Sequence, residues 1–376
     1  MHRTAHKREE LLIFRKLQKL PFLFMLLILL ISSVGFLLLY SAAKGNIDPW
    51  ASRQMFHFAI GVFAFVIVAI IDIRFWFQFS YFIYLCGLGL LLMTTFAGVE
   101  GGLGAQRWLN IGGFQFQPSE LAKVCMVMAV ARYYQMLHIN NIQKITGMII
   151  PAILILFAAL LVFKQPNLGT ASIMAITGGA MLFMAGVSWK KFALAALVVV
   201  IALPVAWNAG VIKNYQKQRV ITFLNPEQDP LGSGYNIIQS KIAIGSGGVA
   251  GKGFLKGTQS QLSFVPERQT DFIFSILAEE WGFTGGVLLI ILYGLLVFTG
   301  LRIAVSCESM FGQLLAYGVI TVMFVHVFVN MGMVMGILPV VGVPLPLVSY
   351  GGSSMVSTLA GLGFVANVWV HRRVKL

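Results

Sequence analysis

Long apolar stretches, separated by short polar breaks, repeat along almost the whole chain. A helix that crosses about 30 Å of hydrocarbon needs roughly 20 mainly apolar residues. Stretches of this length cover about residues 21–42, 54–72, 76–96, 118–136, 145–163, 168–187, 190–210, 272–301, 311–337 and 349–371. The pattern predicts an all-α polytopic integral membrane protein with about ten transmembrane helices.

The distribution of Lys and Arg over the breaks predicts the orientation of these helices. Basic residues are concentrated at both chain ends and in alternate short breaks, at Arg3, Lys7, Arg8, Arg15, Lys16, Lys19, Arg74, Arg132, Lys144, Lys190, Lys191, Arg302, Arg372, Arg373 and Lys375. Because cytoplasmic loops are enriched in Lys and Arg, we predict that both termini are cytoplasmic. We therefore divide the chain into a cytoplasmic N-terminal segment, 1–20, and a transmembrane domain, 21–371. One long external loop, 211–271, connects helices 7 and 8.

Composition agrees with this prediction and excludes other classes of protein. Charged residues make up 11% of the chain and hydrophobic residues 58%, whereas an ordinary soluble domain has about 25% charged residues. A water-soluble globular protein and a disordered chain are therefore excluded. The three cysteines, Cys86, Cys125 and Cys307, all lie outside the external breaks, so we expect no disulfide.

Charged side chains in or beside an apolar stretch are candidates for function, because a charge inside a membrane is costly. Glu120 and Lys123 are three residues apart and share a helix face, so they can pair. Asp271 stands at the start of the eighth stretch. A purely structural ion pair is the alternative for the first two residues, and a favourable interaction with a helix dipole is the alternative for Asp271. For His57 and His326, which lie in predicted spans, we favour helix packing.

Two connecting segments are unusual in composition. The external loop is net positive, and its centre, residues 245–253, is rich in glycine beside Lys252. Exposed backbone N–H groups near a Lys side chain suit an anion such as a phosphate. We favour an ordered, functional segment over a flexible linker, because long structureless loops are uncommon. Residues 339–354 are rich in Pro, Gly and Ser without any charge, and form either a cavity-lining segment or a short external turn.

Several longer motifs occur in a fixed order along the chain. They are QRWL at 106–109, FQPSELAK at 116–123, QPNLGT at 165–170, DPLGSGY at 229–235, QSKIAIGSGG at 239–248, PERQTDFIF at 266–274 and PLPLVSYGGSS at 344–354. In these motifs the chain resembles the SEDS family (shape, elongation, division and sporulation) and, within it, the RodA branch. The resemblance extends over nearly all of the chain after its N-terminal segment. One small departure is Gln269, where many relatives have His.

The resemblance implies a peptidoglycan glycosyltransferase of the bacterial inner membrane, which polymerises lipid II into glycan strands during cell elongation and rod-shape maintenance. It implies Asp271 as the catalytic residue, acting as a general base on the acceptor hydroxyl. The residues expected to bind substrate are Arg107, Trp108, Glu120, Lys123, Arg219, Gln239, Ser240, Lys241, Gly247, Ser349 and Gly351. The expected partners are a class B penicillin-binding protein, lipid II and membrane lipids, with no nucleic acid.

A single displacement at the sugar of the donor would invert its anomeric centre. A divalent cation, Mg²⁺ or Mn²⁺, could screen the pyrophosphate, although the sequence contains no cluster of metal ligands.

The alternatives to this function are a flippase for the lipid-linked precursor, a division polymerase of the FtsW type, or a scaffold without catalytic activity. Asp271 and the glycine-rich loop are both predicted on the external side, which favours polymerisation of a precursor that has already been flipped.

Overall fold

The computed structural model describes residues 16–101, 105–111, 114–210, 214–228, 233–262 and 267–376 of the chain. Its α-helices are α1 (Phe22–Ala42), α2 (Trp50–Ile70), α3 (Ile73–Ala97), α4 (Pro118–Met136), α5 (Thr146–Lys164), α6 (Leu168–Met184), α7 (Trp189–Asn208), α8 (Asn214–Leu224), α9 (Ser233–Gly247), α10 (Thr258–Gln261), α11 (Ile273–Val305), α12 (Met310–Val334) and α13 (Gly352–Val370). The predicted all-α class is confirmed. Each predicted apolar stretch corresponds to one of these helices.

The ends of the helices differ from the predicted bounds where the backbone has a local reason to leave the helix. Helix α12 ends at Val334, before the predicted 337, and Gly336 just beyond it has a φ of +72°, the left-handed conformation that commonly follows a helix. Helix α13 begins at Gly352 instead of 349, because Gly351 has an extended backbone, with φ 166° and ψ 106°. The N–H of Tyr350 before it donates to the carbonyl of Gln269 (2.8 Å). Hydrophobic periodicity contains no information about such contacts.

Seven of the described helices are long and apolar enough to cross a membrane, namely α1, α2, α3, α5, α11, α12 and α13. The protein is therefore a multi-pass membrane protein. Helix α6 is apolar but shorter, and α4 carries the charged residues Glu120, Lys123 and Arg132. The total of about ten crossings and the cytoplasmic position of both termini remain predictions.

Helix α4 lies near the centre of the bundle, in contact with α3, α5, α6, α12 and α13. Its residues 124–131 are almost completely buried. Helix α13 packs closely along α2, where a Cβ added at Gly363 would lie 2.8 Å from the carbonyl oxygen of Phe65. Small residues at such crossings let membrane helices approach closely. Glu120 and Lys123 on α4 are both buried in the interior of the protein, at 6% and 2% exposure.

The two ends of the bundle are formed by different segments of the chain. At one end, which we call the terminal end, Lys16 donates to the carbonyl of Ile70 (2.9 Å), and the N–H of Glu308 donates to the carbonyl of Arg372 (2.9 Å). The opposite end carries Asp271 and the connections that precede α4 and α11. Both described chain ends therefore lie at the end of the bundle away from Asp271.

Connections at the opposite end contain regular structure that the apolar pattern did not predict. Between α3 and α4, the strands β1 (Val99–Gly101), β2 (Ala105–Ile111) and β3 (Phe114–Phe116) form an antiparallel sheet in that order. The predicted external loop contains helices α8, α9 and α10. Its described parts therefore contain regular structure, as predicted, while their functional role remains a prediction.

Candidate active site

Asp271 lies in a tight turn immediately before α11. The N–H groups of Thr270 and Phe272 donate to the carbonyl of Glu267, at 3.1 and 3.4 Å, and close this turn. The carboxylate lies beside Gly342, where an added Cβ would be 3.5 Å from Oδ2. Gly342 has a φ of +73°, a conformation that residues with a Cβ rarely adopt. The turn and the glycine together place a carboxylate at the end of a helix.

Residues 339–351, which we call the proline segment, are held against this turn by hydrogen bonds. The hydroxyl of Ser349 donates to the carbonyl of Thr270 (2.5 Å). The side chain of Gln54 donates to the carbonyl of Ser349 (2.9 Å) and accepts from the N–H of Gly351 (3.1 Å). These backbone groups are satisfied within the protein, as irregular backbone at membrane depth requires. The structure therefore favours the cavity-lining segment over a short external turn.

The electrostatic environment of Asp271 favours the protonated carboxyl more than water does. Burial is the main cause, the charge of Glu267 adds to it, and the pKa of Asp271 is raised to about 6. The positive charges of Arg219 and Arg107 act in the opposite direction. Arg219 projects from α8 and Arg107 from β2. Two guanidinium groups from separate connections therefore lie near one carboxylate whose pKa is close to neutrality, as is typical of a general base.

Arg107 is fixed by backbone carbonyls. Its Nε donates to the carbonyl of Gln165 (3.1 Å), and one of its terminal nitrogens donates to the carbonyl of Pro166 (2.5 Å). These bonds orient the guanidinium without neutralising its charge. Trp108, the next residue of β2, is half-buried and pairs with Val99 of β1. The sheet thus presents Arg107 on a rigid support.

Glu120 and Lys123 form a buried ion pair inside the bundle. Lys123 Nζ donates to Glu120 Oε1 at 2.8 Å and lies 2.8 Å from Nε2 of His326. The other ring nitrogen of His326 lies 2.8 Å from the carbonyl of Val322. The three side chains line a small cavity of about 30 Å³ between α4, α12 and α13, together with Pro346 of the proline segment. The pair is therefore connected to the Asp271 region through that segment.

The contact of His326 with Lys123 was missed by the sequence analysis, which favoured helix packing for this residue. His326 is 4% exposed, so a packing role is also present. The only sequence signal was a polar ring in an apolar stretch. Because its partner is 203 residues away along the chain, no helical spacing could have identified the contact.

Two predicted site residues of α9, Ser240 and Lys241, contact the C-terminal end of α12. Ser240 is fully buried, and its hydroxyl donates to the carbonyl of Val334 (2.9 Å). Gln239 is half-buried and Lys241 exposed. The methylene chain of Lys241 lies across Gly336, where an added Cβ would meet its Cε at 2.1 Å. The structure thus gives Ser240 a role in fixing α9, while Gln239 and Lys241 remain accessible.

The glycine-rich centre of the same segment packs onto a kink in α11. A Cβ at Gly247 would lie 2.0 Å from the carbonyl oxygen of Ala278, so only glycine allows this approach. Lys252 pairs with Glu279 through its side chain (2.8 Å), and its N–H donates to the Glu279 carbonyl (3.0 Å). The kink occurs at Gly282, with a φ of +65°. The charge of Lys252 is compensated by Glu279, which argues against the anion site predicted beside it.

The predicted site residues thus fall into distinct groups. Asp271, Arg107 and Arg219 meet at one end of the bundle, and Glu120 and Lys123 lie in the neighbouring cavity. Ser240, Gly247, Ser349 and Gly351 hold the surrounding backbone in place. Among the residues that the structure describes, no three His, Cys, Asp or Glu side chains are grouped to hold a metal ion.

Comparison with known proteins gives extensive matches. Residues 18–374 match the family model FtsW/RodA/SpoVE, described as cell cycle protein. The peptidoglycan glycosyltransferase MrdB of Escherichia coli (strain K12) is 46% identical over 351 residues, which cover 93% of this chain and 94% of that protein.

Solved structures agree with the family match. A chain from a study of the structural coordination of polymerization and crosslinking by a peptidoglycan synthase complex is 32% identical and has a TM-score of 0.83, covering 95% of this chain and 99% of that chain. The crystal structure of the Thermus thermophilus rod shape determining protein RodA is 29% identical with a TM-score of 0.72, covering 95% and 98%. Since one family model spans nearly its whole length, this chain belongs to the FtsW/RodA/SpoVE family.

Proposed function

We propose that this protein is a peptidoglycan glycosyltransferase that polymerises lipid II during cell elongation and rod-shape maintenance. The name and activity of the similar MrdB support the reaction class, and the similarity to a rod shape determining protein supports the elongation role. The observation that carries the proposal is the position of Asp271, a carboxylate with a raised pKa near the charges of Arg107 and Arg219. A polymerase needs these two functions in one place, a base for the acceptor and cations for the leaving group.

The chemistry follows from the charges of the reactants. The donor sugar leaves a lipid pyrophosphate, so negative charge develops on phosphate oxygens in the transition state. Arg107 and Arg219 stabilise that charge. The acceptor is the 4-hydroxyl of a sugar, and Asp271 accepts its proton as the new glycosidic bond forms. One displacement converts the α-linked donor into a β-linked product.

Other residues of the site have binding or supporting roles in this proposal. Trp108, Gln239 and Lys241 bind the sugar-pyrophosphate part of lipid II, and Lys123 with Glu120 forms the polar wall of the cavity. The site belongs to the transmembrane domain, 21–371, with the segment 211–271 outside the membrane and the segment 1–20 in the cytoplasm.

The direct test is polymerisation of fluorescently labelled lipid II by the purified protein in detergent or liposomes. Glycan strands of several repeat units, separated by electrophoresis and digested by a muramidase, are the expected product. If the protein moves labelled lipid II across a liposome membrane without making strands, it is a flippase and the proposal fails. If it does neither with its transpeptidase partner present, the scaffold interpretation is correct.

Polymerisation should depend on pH through Asp271. Because the base acts only when ionised and its pKa is about 6, the rate should be near its maximum at pH 7.5 and fall as the pH decreases through 6. At pH 5 about a tenth of the maximal rate is expected. Initial rates at constant ionic strength between pH 5 and 8 give the midpoint. A rate that stays constant down to pH 4.5 would contradict the assignment of Asp271 as the base.

We also infer that a class B penicillin-binding protein binds here through its transmembrane helix. The similar synthase complex coordinates polymerization with crosslinking. An apolar groove of about 300 Å³ lies between α11 and α12 and includes Gly294, Phe324, Phe328 and Gly332. Small and aromatic residues that line such a groove allow close packing of another helix. This groove is our proposed partner site.

The substitution Gly294→Leu should weaken partner binding about tenfold, equivalent to about 1.4 kcal/mol. A Cβ at Gly294 meets nothing within 4 Å, so the larger side chain fills the groove without disturbing the fold. Gly179→Leu on α6 is the matched control, because its Cβ position is equally open. Co-purification of the two proteins in detergent measures the effect. Equal binding by the two variants would exclude this groove.

A further inference from the structure

Asn330 is a buried polar residue that lies outside the sequence motifs and has no part in the proposed mechanism. It lies on α12 near the end of the bundle that carries Asp271, and it is 0% exposed. Its Nδ2 donates to two backbone carbonyls, that of Asp271 at 2.8 Å and that of Val343 at 2.7 Å. One amide therefore joins the chain at Asp271 to the proline segment.

The two carbonyls belong to the two backbone segments that meet at the Asp271 carboxylate. One belongs to Asp271 itself. The other belongs to Val343, directly after Gly342, whose backbone lies beside Oδ2 of Asp271. Asn330 thus fixes the distance between the backbone of Asp271 and the backbone at Gly342, which lies beside the Asp271 carboxylate. Ser349 makes a related bond one residue away, to the carbonyl of Thr270, but it belongs to the proline segment and leaves α12 unconnected.

The amide serves here as a donor. Its Oδ1 is buried and accepts no hydrogen bond from the residues that the structure describes. Burying an amide oxygen in this way costs free energy, whereas an apolar residue of similar size would avoid that cost. Packing alone thus does not account for an Asn at this position, while holding two carbonyls at a fixed separation does.

We propose that Asn330 is a positioning residue, which aligns the Asp271 carboxylate with the acceptor hydroxyl by fixing the backbone of Asp271 against the proline segment. The inference rests on the proposed function, in which Asp271 is the base. Small misplacements of a catalytic group lower the rate of the chemical step much more than they affect substrate binding.

Asn367 provides a matched control at the terminal end of the bundle. It is also 0% exposed, its Nδ2 donates to the carbonyls of Val68 (2.9 Å), Ala69 (3.2 Å) and Ile71 (2.5 Å), and its Oδ1 is buried without a partner among the described residues. Loss of either amide removes a comparable bridge between elements. Only Asn330 lies next to the proposed base.

The test compares Asn330→Ala, Asn330→Leu and Asn367→Ala in the lipid II assay, with size-exclusion profiles and melting temperatures for each. Both Asn330 variants should lower kcat by roughly 10- to 100-fold with KM changed less than about twofold, while Asn367→Ala keeps kcat. The leucine of Asn330→Leu fills the space of the amide. This variant therefore tests the proposal even if Asn330→Ala does not fold.

The midpoint of the rate on the acidic side of the pH profile is a second measurement. A purely structural role of Asn330 would leave this midpoint unchanged. The charged groups acting on Asp271 are Glu267 from its own turn, Arg219 from α8 and Arg107 from β2. Loosening the turn hydrates the carboxylate, so the midpoint should move from about 6 to lower pH in the Asn330 variants. Folded Asn330 variants with the kcat and midpoint of the wild type would overturn the inference. Full activity of Asp271→Asn would instead overturn the proposed base, so the two failures are distinct.

Discussion

Replacement of Asp271 by Asn is expected to lower lipid II polymerisation by about 10² to 10⁴-fold. The amide has the shape of the carboxyl but cannot accept a proton from the acceptor hydroxyl. The neutral side chain should not unfold the turn, because the backbone bonds of Thr270 and Phe272 to Glu267 do not involve it. The rate of strand formation at pH 7.5 and the affinity for labelled lipid II, measured separately, test whether chemistry or binding is lost.

Asp72→Asn is the control for this change. Asp72 also precedes a helix, α3, but at the terminal end of the bundle, where its side chain accepts from the N–H of Arg74 (2.8 Å). Asn is an equally good residue at a helix N-cap, so the fold should be preserved. We expect wild-type rates from Asp72→Asn. Strand formation by Asp271→Asn at the rate of this control would remove Asp271 from the mechanism.

The second large effect is expected at the buried pair of Glu120 and Lys123. Changing one partner, in Lys123→Met or Glu120→Met, leaves the other charge buried without its counterion. Such losses cost roughly 3–5 kcal/mol, so each single variant should melt at a markedly lower temperature. Polymerisation should fall as well, because the polar wall of the cavity is disrupted.

The double variant separates stability from function. Two methionines in place of Glu120 and Lys123 leave no unpaired charge from the pair, and replacing both members of a buried pair by apolar residues is often neutral for stability. We expect the melting temperature to recover towards that of the wild type, while polymerisation stays low. Full recovery of both properties would show that the pair is only structural, the alternative that the sequence had left open.

Much of the fold follows from periodicity because each membrane helix is a local structure. Its backbone hydrogen bonds are internal to one segment, so the length and hydrophobicity of that segment are enough to predict it. The bounds of α4, Pro118–Met136, coincide with those predicted from the sequence. The sheet β1–β3 was not predicted, since its short strands depend on pairing with one another.

The site was predictable only in part. Asp271, Arg107 and the pairing of Glu120 with Lys123 were identified in advance, the pairing from helical spacing and the rest with the aid of family motifs. Motifs do not distinguish residues that face a substrate from those that support the backbone. Ser240, with its bond to Val334, is an example of a motif residue that holds two helices together.

By itself, the amino-acid sequence determined that this protein is an integral membrane protein. It also determined the positions of the membrane helices and the carboxylates that are candidates for function. These properties depend on apolar segments and on residues close together in the chain. Only the tertiary structure decided that His326 contacts Lys123, that Lys252 is neutralised by Glu279, and that Asn330 bridges Asp271 and Val343. Each of these contacts joins different helices or connections, and their geometry is set by how the helices pack.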